Sequence, residues 1–194
     1  MDELALFPLQ TVLFPGNKLP LRIFEPRYVD LVGRCMREGS RFGIVAIEHG
    51  EEVGATPAIF STGTDVDIID FDQGSAGLLN IIVQGRERFT IDATRRDSSN
   101  LLTASVHYLP NLEACDFDDP HGHLEAMFNE LSRHPELQDR ISATNDNLEM
   151  AFQVIPWLPI PPATKVTLLA AETSLELLSS LESYLEQLDK SNRS

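Results

Sequence analysis

The chain has 194 residues, of which 42% are hydrophobic and 23% charged, so it can bury the core of one domain, with or without a helical extension. This composition argues against global disorder. Its formal charge of −15 argues against nucleic-acid binding, which draws most of its affinity from Lys and Arg neutralising phosphates. The chain has no basic and apolar leader, no apolar run near the roughly 20 residues of a membrane span, and only two cysteines. We therefore expect a soluble cytoplasmic protein without a disulfide framework and without a membrane partner.

The first 110 residues are predicted to form mainly strands. Short apolar runs bounded by turn formers mark six of them: Leu4–Leu9, Leu19–Phe24, Phe42–Ile47, Asp65–Ile69, Leu78–Ile91 and Leu101–Leu109. Pro15-Gly16-Asn17 predicts a turn after the first strand, and Asp72–Gly77 predicts a hairpin loop. Gly85, inside the fifth run, predicts a bulge or a sharp bend.

One helix is predicted among these strands. Pro26 suits a first helical turn, Gly39 suits the carboxyl cap, and an apolar stripe lies between them. The stripe consists of Tyr28, Leu31, Val32, Cys35 and Met36. Cys35 on this stripe is interpreted as a small core hydrophobe.

After Pro110 the pattern becomes helical. Apolar spacing predicts helices over His121–Arg133, Asn145–Ile155, Ala163–Ala171 and Leu175–Leu188. A capping box of Thr173 and Glu176 precedes the last one. The proline-rich connector Ile155–Pro162 must be extended or turn-like. The predicted division is a β-rich part, 1–110, and a helical part, 111–194.

The sequence contains no recognisable catalytic apparatus. None of its three lysines (Lys18, Lys165 and Lys190) stands in a Gly-Lys-Ser/Thr phosphate-binding loop. No Gly-x-Ser-x-Gly nucleophile elbow occurs, and nothing places a base beside a serine. We expect no catalytic residue and no cofactor.

One segment has side chains that bind metals. Cys115, His121 and His123, with Asp116, Asp118 and Asp119, offer thiolate, imidazole and carboxylate. The segment lacks Cys-x-x-Cys and His-Glu-x-x-His spacing, and an acidic cluster before a helix also suits the helix dipole. We expect an acidic connecting loop, with a metal site on Cys115, His121 and His123 as the alternative.

Apolar residues in the connector are the main hint of a binding function. Trp157 is the only tryptophan, and Leu158 and Ile160 follow it. Tryptophan is enriched at interaction hot spots. These residues either bind a partner or hold the helical part against the β-rich part.

Several ordered blocks resemble the amino-terminal domain of Lon proteases. They are Leu6–Leu9, Val12–Gly16, Leu19–Tyr28, Phe42–Val45, Gly63-Thr64 and Val83–Phe89, with a looser match through Leu158-Pro159 and the final leucine-rich helix. The motif residues with structural roles are Pro8, Pro15, Gly16, Phe24, Glu25, Arg27, Tyr28, Gly85, Arg88 and Phe89. Leu21, Ile23 and Phe24 are expected to fill the core, Glu25 to cap the helix, and Arg27 to pair with a carboxylate.

The resemblance implies an α+β protein: an amino-terminal PUA-like β pseudo-barrel with one embedded helix, followed by a carboxy-terminal helical bundle. In Lon enzymes this region recognises protein substrates and helps to assemble the hexamer, while ATPase and Ser-Lys protease domains follow it. Because the chain stops at residue 194, ATP-dependent proteolysis is not carried over.

The leading functional hypothesis is a non-catalytic module that binds unfolded or specific protein substrates, with a separate protease or ATPase as a further partner and with self-association left open. We expect the binding surface near Gly63 and the Asp72–Gly77 loop (Asp72 and Gly74 in particular), at the seam of Trp157, Leu158 and Ile160, or along an open strand edge. The alternatives are a nucleic-acid-binding PUA-like protein, suggested by Arg86, Arg88, Arg95 and Arg96, and a metal-dependent protein.

Overall fold

Strands lie where the apolar runs predict them, and most extend further. In the computed structural model the described residues are 2–52, 57–73, 78–117, 119 and 121–192. The strands within these ranges are β1 (Asp2–Leu9), β2 (Lys18–Ile23), β3 (Phe42–His49), β4 (Ala58–Gln73), β5 (Leu79–Arg96) and β6 (Leu102–Tyr108). The two long strands, β4 and β5, carry alternating side chains that serve both faces of a sheet.

The strands form one mixed sheet in the order β2-β5-β4-β3-β1-β6, and β6 pairs again with β5. Five strands thus close a ring, and β2 is attached outside it along the first half of β5. The β1–β3 pair is parallel and the other pairs are antiparallel. Among the described strands β2 pairs with β5 alone, so its other edge is open.

Gly85 introduces the predicted irregularity into β5. Thr64 pairs with Arg88 and Val66 with Gly85, so β5 advances one residue more than β4 between these pairs, which is a β-bulge. A Cβ atom on Gly85 would lie 2.5 Å from the carbonyl oxygen of Phe14. The absence of a side chain lets the Pro15–Asn17 turn dock here, with Gly16 N donating to Gly85 O at 2.9 Å and Gly85 N to Asn17 O at 2.9 Å.

Helix α1 (Pro26–Glu38) begins and ends as predicted, with proline in its first turn and Gly39 as a left-handed cap. Tyr28, Leu31, Val32 and Cys35 are buried against the sheet, but Met36 is exposed. Phe24, expected in the core, is also exposed, because β2 ends at Ile23 and the chain turns outward before the helix.

Residues after 110 form the remaining helices, α2 (His123–Arg133), α3 (Asn147–Val154), α4 (Pro162–Leu169) and α5 (Ser174–Asn192), with 3-10 turns at Pro135–Leu137 and Ile155–Trp157. The Thr173 hydroxyl accepts a hydrogen bond from the Glu176 amide at 3.2 Å, as the capping box predicts. The helices pack into one hydrophobic cluster that also contains Val12, Phe14 and Ala46. The β-rich and helical parts therefore share a core. No helix among the described residues combines the length and the apolar character needed to cross a bilayer.

Candidate binding surface

A groove lies at the strands β2, β5 and β4. It encloses about 480 Å³ and is lined by Pro20, Leu21, Arg22, Asp70, Phe71, Asp72, Asn80, Ile81 and Ile82. Phe71 is 59% exposed although it is one of the largest apolar side chains. Most of the lining is apolar, and Arg22, Asp70 and Asp72 add charges of both signs to it. We call this surface the β2–β4 groove.

Phe71 also borders a second depression, of about 560 Å³, between α1 and β4. This depression contains Met36 and Ile69, which are both exposed. Three exposed hydrophobic residues thus converge on one region of the molecule. Of this region only Asp72 was expected to bind a partner, because the predicted strand Asp65–Ile69 ends before Phe71. The alternation of Ile69 and Phe71 with Asp70 and Asp72 was the signal that the strand continues.

The seam residues of the proline-rich connector have different environments. Trp157 is 38% exposed, and the Arg140 guanidinium lies 5.0 Å from its ring centroid, a cation–π distance. Leu158 is buried and Ile160 partly buried in the helical cluster. Leu158 therefore belongs to the core and is not available to a partner, whereas Trp157 presents part of its ring beside a small cavity of about 40 Å³.

Gly63, Asp72 and Gly74, expected near the binding surface, have different environments or lie outside the described residues. Gly63 is buried in the middle of β4, where a Cβ atom would lie 2.5 Å from Ile44 O, so its expected place on an exposed binding surface is wrong. The tight approach of β3 explains the need for glycine there. Asp72 is exposed and lines the β2–β4 groove. Gly74, with the rest of residues 74–77, lies outside the described residues.

The buried carboxylate of Asp65 is fully hydrogen-bonded within the protein. Asp65 is fully buried and accepts from Arg41 at 3.1 Å, from the Glu87 amide at 2.7 Å and from the Tyr108 hydroxyl at 3.2 Å. Burial, together with the negative charge of Asp65, raises the pKa of Tyr108 to about 12. A carboxylate with this many donors is a structural group and a poor general base.

The arginines do not form a basic strip. Arg88 is buried, Arg86 pairs with Asp67 at 2.6 Å, Arg95 pairs with Glu3, and Arg96 donates to the side chain of Asn100. Phosphate binding needs free cationic groups on one face, so these side chains give no support to nucleic-acid recognition.

The motif residues Glu25 and Arg27 interact with each other. Glu25 occupies the amino cap of α1 but its side chain makes no capping hydrogen bond, contrary to expectation. It pairs instead with Arg27 at 2.8 Å, and Arg27 also donates to Asn100 O at 3.0 Å. This pair links the start of α1 to the β5–β6 connection.

Among the described side chains of the acidic segment, His121 joins a group of possible metal ligands and Cys115 does not, while Asp118 lies outside the described residues. Cys115 lines an open depression with Asp116 and Asn147. His121 and His123 lie at the amino end of α2 and face Glu186 and Glu182 of α5. The four-residue spacing of Glu182 and Glu186 places both on one face of α5, but it does not predict which histidines they meet.

Comparison with known proteins agrees with this architecture. The family model of the ATP-dependent protease La (LON) substrate-binding domain matches residues 3–187. The crystal structure of a Lon N-terminal domain protein from Xanthomonas campestris has a TM-score of 0.75 and 30% identity, covering 95% of this chain and 99% of that chain.

Longer proteins contain the same region. Lon protease 2 of Syntrophobacter fumaroxidans is 28% identical over 187 residues, which are 95% of this chain and 21% of that protein. Protein cereblon of Danio rerio is 26% identical over 114 residues, 57% of this chain and 26% of that protein. The chain spans between 11% and 26% of the length of curated relatives that it matches.

The shared α+β fold, with its mixed sheet and five helices, extends over nearly all of the chain. Since the family model covers residues 3–187, the chain belongs to the Lon substrate-binding domain family.

Proposed function

We propose that this chain is a non-catalytic module that recognises polypeptides, and that the β2–β4 groove is its principal contact surface. The main evidence is that three exposed hydrophobic side chains lie together: Phe71 lines both the groove and the adjoining depression, and Ile69 and Met36 line the depression. Contiguous exposed apolar surface on a folded domain marks an interaction site. Family membership supports the same class of ligand, since the matching family is defined by substrate binding.

The shape of the groove favours an extended segment. Three strands line it, and Pro20, Phe71 and Ile82 supply apolar contacts along it. Addition of a further strand to the open edge of β2 is less favoured, because Pro20 has no amide hydrogen to donate. We therefore assign recognition to the side chains that line the groove and not to backbone pairing along the edge of β2.

The charged residues that line the groove favour binding of peptides that combine apolar and charged residues. Asp70 and Asp72 on β4 and Arg22 on β2 all line the groove. Such exposed charges contribute to specificity and to the association rate more than to affinity. The affinity should therefore come mainly from apolar burial and should survive moderate salt.

A titration of the intact chain tests this proposal. A fluorescently labelled, permanently unfolded polypeptide is titrated with the protein at low and high salt, without nucleotide, and anisotropy is measured. We expect saturable micromolar binding that persists in high salt. Phe71→Ser should weaken it about tenfold or more, the loss typical of an aromatic hot spot.

Leu175→Ser is the matched control. Leu175 is 57% exposed, close to the value for Phe71, but it lies in the first turn of α5. Its replacement should leave binding unchanged. If Trp157→Ala abolished binding while Phe71→Ser did not, the seam and not the groove would be the contact surface. Absence of any binding would reject recognition of unfolded chains.

The family resemblance also supports proposals about the architecture and the partners of the chain. The closed ring of strands corresponds to a PUA-like pseudo-barrel with α1 embedded, and the helices after residue 110 correspond to a bundle. ATP-dependent degradation would require ATPase and protease domains in addition to these 194 residues, and a separate ATPase or protease in the cytoplasm is the partner that we propose. Folded target proteins and a second copy of the chain are further partners of the same surface.

A further inference from the structure

Four side chains that bind metals meet between α2 and α5, away from the groove. His121 precedes α2, His123 begins it, and Glu182 and Glu186 occupy one face of α5, one turn apart. One donor atom from each of His121, Glu182 and Glu186 lies within 4.8 Å of the other two. The rings of His121 and His123 have centroids 5.2 Å apart.

The spacing of these donors suits a shared ion. His121 Nε2 lies 3.2 Å from Glu186 Oε1. Two ligands of a tetrahedral ion with bonds of about 2.0–2.1 Å are about 3.3 Å apart, so this pair needs little adjustment to hold one. The other oxygen of Glu186 lies 3.3 Å from Lys190 Nζ, which leaves Oε1 for the ion.

Glu182 provides the independent observation. The residue is only 8% exposed, and its Oε2 has no hydrogen-bond partner among the described residues. Its Oε1 lies 3.0 Å from His123 Nδ1. An unsatisfied buried carboxylate oxygen is costly, and a bound cation would remove that cost.

We propose that His121, Glu182 and Glu186 form a binding site for a divalent transition-metal ion of the Zn²⁺ class, with His123 orienting Glu182 through its carboxylate. One imidazole and two carboxylates are a zinc ligand set that leaves a fourth position open for water. Imidazole discriminates against Mg²⁺ and Ca²⁺, which prefer oxygen ligands alone. A histidine that holds a ligating carboxylate is a common outer-shell arrangement.

The ion would join the start of α2 to α5. Cys115, which the sequence grouped with these histidines, is not part of the set. The site involves no residue of the β2–β4 groove, so it stands or falls separately from polypeptide recognition.

Isothermal titration of the chelator-treated chain with Zn²⁺ and with Co²⁺, in excess Mg²⁺, tests the site. The Mg²⁺ suppresses non-specific binding to a protein of charge −15. We expect one ion per chain, a rise in the thermal midpoint that chelator reverses, and visible Co²⁺ absorption typical of low coordination number. His121→Ala and Glu186→Gln, both at solvent-accessible positions, should each weaken binding at least tenfold.

His107→Ala is the control, because His107 and Asp92 form another histidine–carboxylate pair, at 2.7 Å on the sheet. This variant should bind the ion like the parent chain. The proposal is overturned if neither ion binds stoichiometrically in Mg²⁺, or if both site variants bind as tightly as His107→Ala. Circular dichroism of each variant separates loss of ligand from loss of fold.

Discussion

The side chain of Arg88 joins β5 to the end of α4 and to the segment after β6. It is 3% exposed, and its guanidinium donates to the carbonyl oxygens of Leu169 and Ala171 at 2.8 Å each and of Pro110 at 2.6 Å. Two of these acceptors are at the carboxyl end of α4, where cationic donors are favourable. Burial lowers the pKa of Arg88, but a guanidinium keeps its charge throughout the physiological range.

Arg88→Met should therefore destabilise the fold strongly. The change removes the guanidinium donors from three carbonyl oxygens, and two of these hydrogen bonds, to Leu169 and Ala171, are buried. Each unsatisfied buried group costs about 1–3 kcal/mol, so we expect a loss of at least about 2 kcal/mol in the free energy of unfolding. Chemical denaturation followed by circular dichroism measures it. Arg86→Met is the control on the same strand. Its side chain is 46% exposed and pairs with Asp67 on the surface, so the loss should stay below about 1 kcal/mol. Equal losses in the two variants would contradict this role of Arg88.

At the scale of elements, the Pro15–Asn17 turn and the β5 bulge form one unit. The turn lies directly on Gly85, and two backbone hydrogen bonds of 2.9 Å join them. The side chain of Asn17 then donates to Phe152 O at 2.7 Å, which attaches the end of α3 to the same turn. The bulge in β5 thus determines where β2 begins and where α3 ends.

Gly85→Ala should push the Pro15–Asn17 turn away from β5 and lower the free energy of unfolding. The new methyl group would lie 2.5 Å from a backbone oxygen that cannot rotate away, and overpacking of this kind costs about 1–3 kcal/mol. Thermal and urea denaturation should show that loss. In contrast, Gly33 is inside α1 and meets only the flexible end of Arg37, at 3.4 Å, so Gly33→Ala should stabilise by about 0.5–1 kcal/mol through helix propensity. A Gly85→Ala variant as stable as the parent would show that the turn can shift without cost.

For the whole molecule, one hydrophobic cluster contains residues from both predicted parts, 1–110 and 111–194. Val12, Phe14 and Ala46 belong to the cluster that the helices bury. Arg88 and Asn17 of the first part bond to carbonyls of the second. We infer that the two parts are one cooperative unit.

A single unfolding transition is the expected consequence. Fluorescence of Trp157, which reports on the connector, and far-ultraviolet circular dichroism should give coincident denaturation curves. The calorimetric and van't Hoff enthalpies should agree. Two separate transitions, or a fragment of residues 1–110 that folds by itself to a native-like spectrum, would establish independent domains instead.

The α+β class, the order of the strands and helices and the family could all be predicted from local pattern. Apolar periodicity, Pro26, Gly39 and the Thr173–Glu176 box depend on residues close in sequence, so their consequences are visible without the fold. The bulge at Gly85 is a similar case, since glycine within a strand has few other uses.

The surfaces and sites were decided by the tertiary structure alone. Burial of Gly63 and Leu158, and exposure of Phe24 and Phe71, depend on which elements pack over them. The juxtaposition of His121 with Glu186 joins residues 65 positions apart, and no local pattern encodes such a distance. The sequence by itself determined which elements form, because each is stabilised by its own turns, caps and periodicity. Only the closed sheet and the helices packed on it decided which side chains meet, because contacts between distant segments arise from packing.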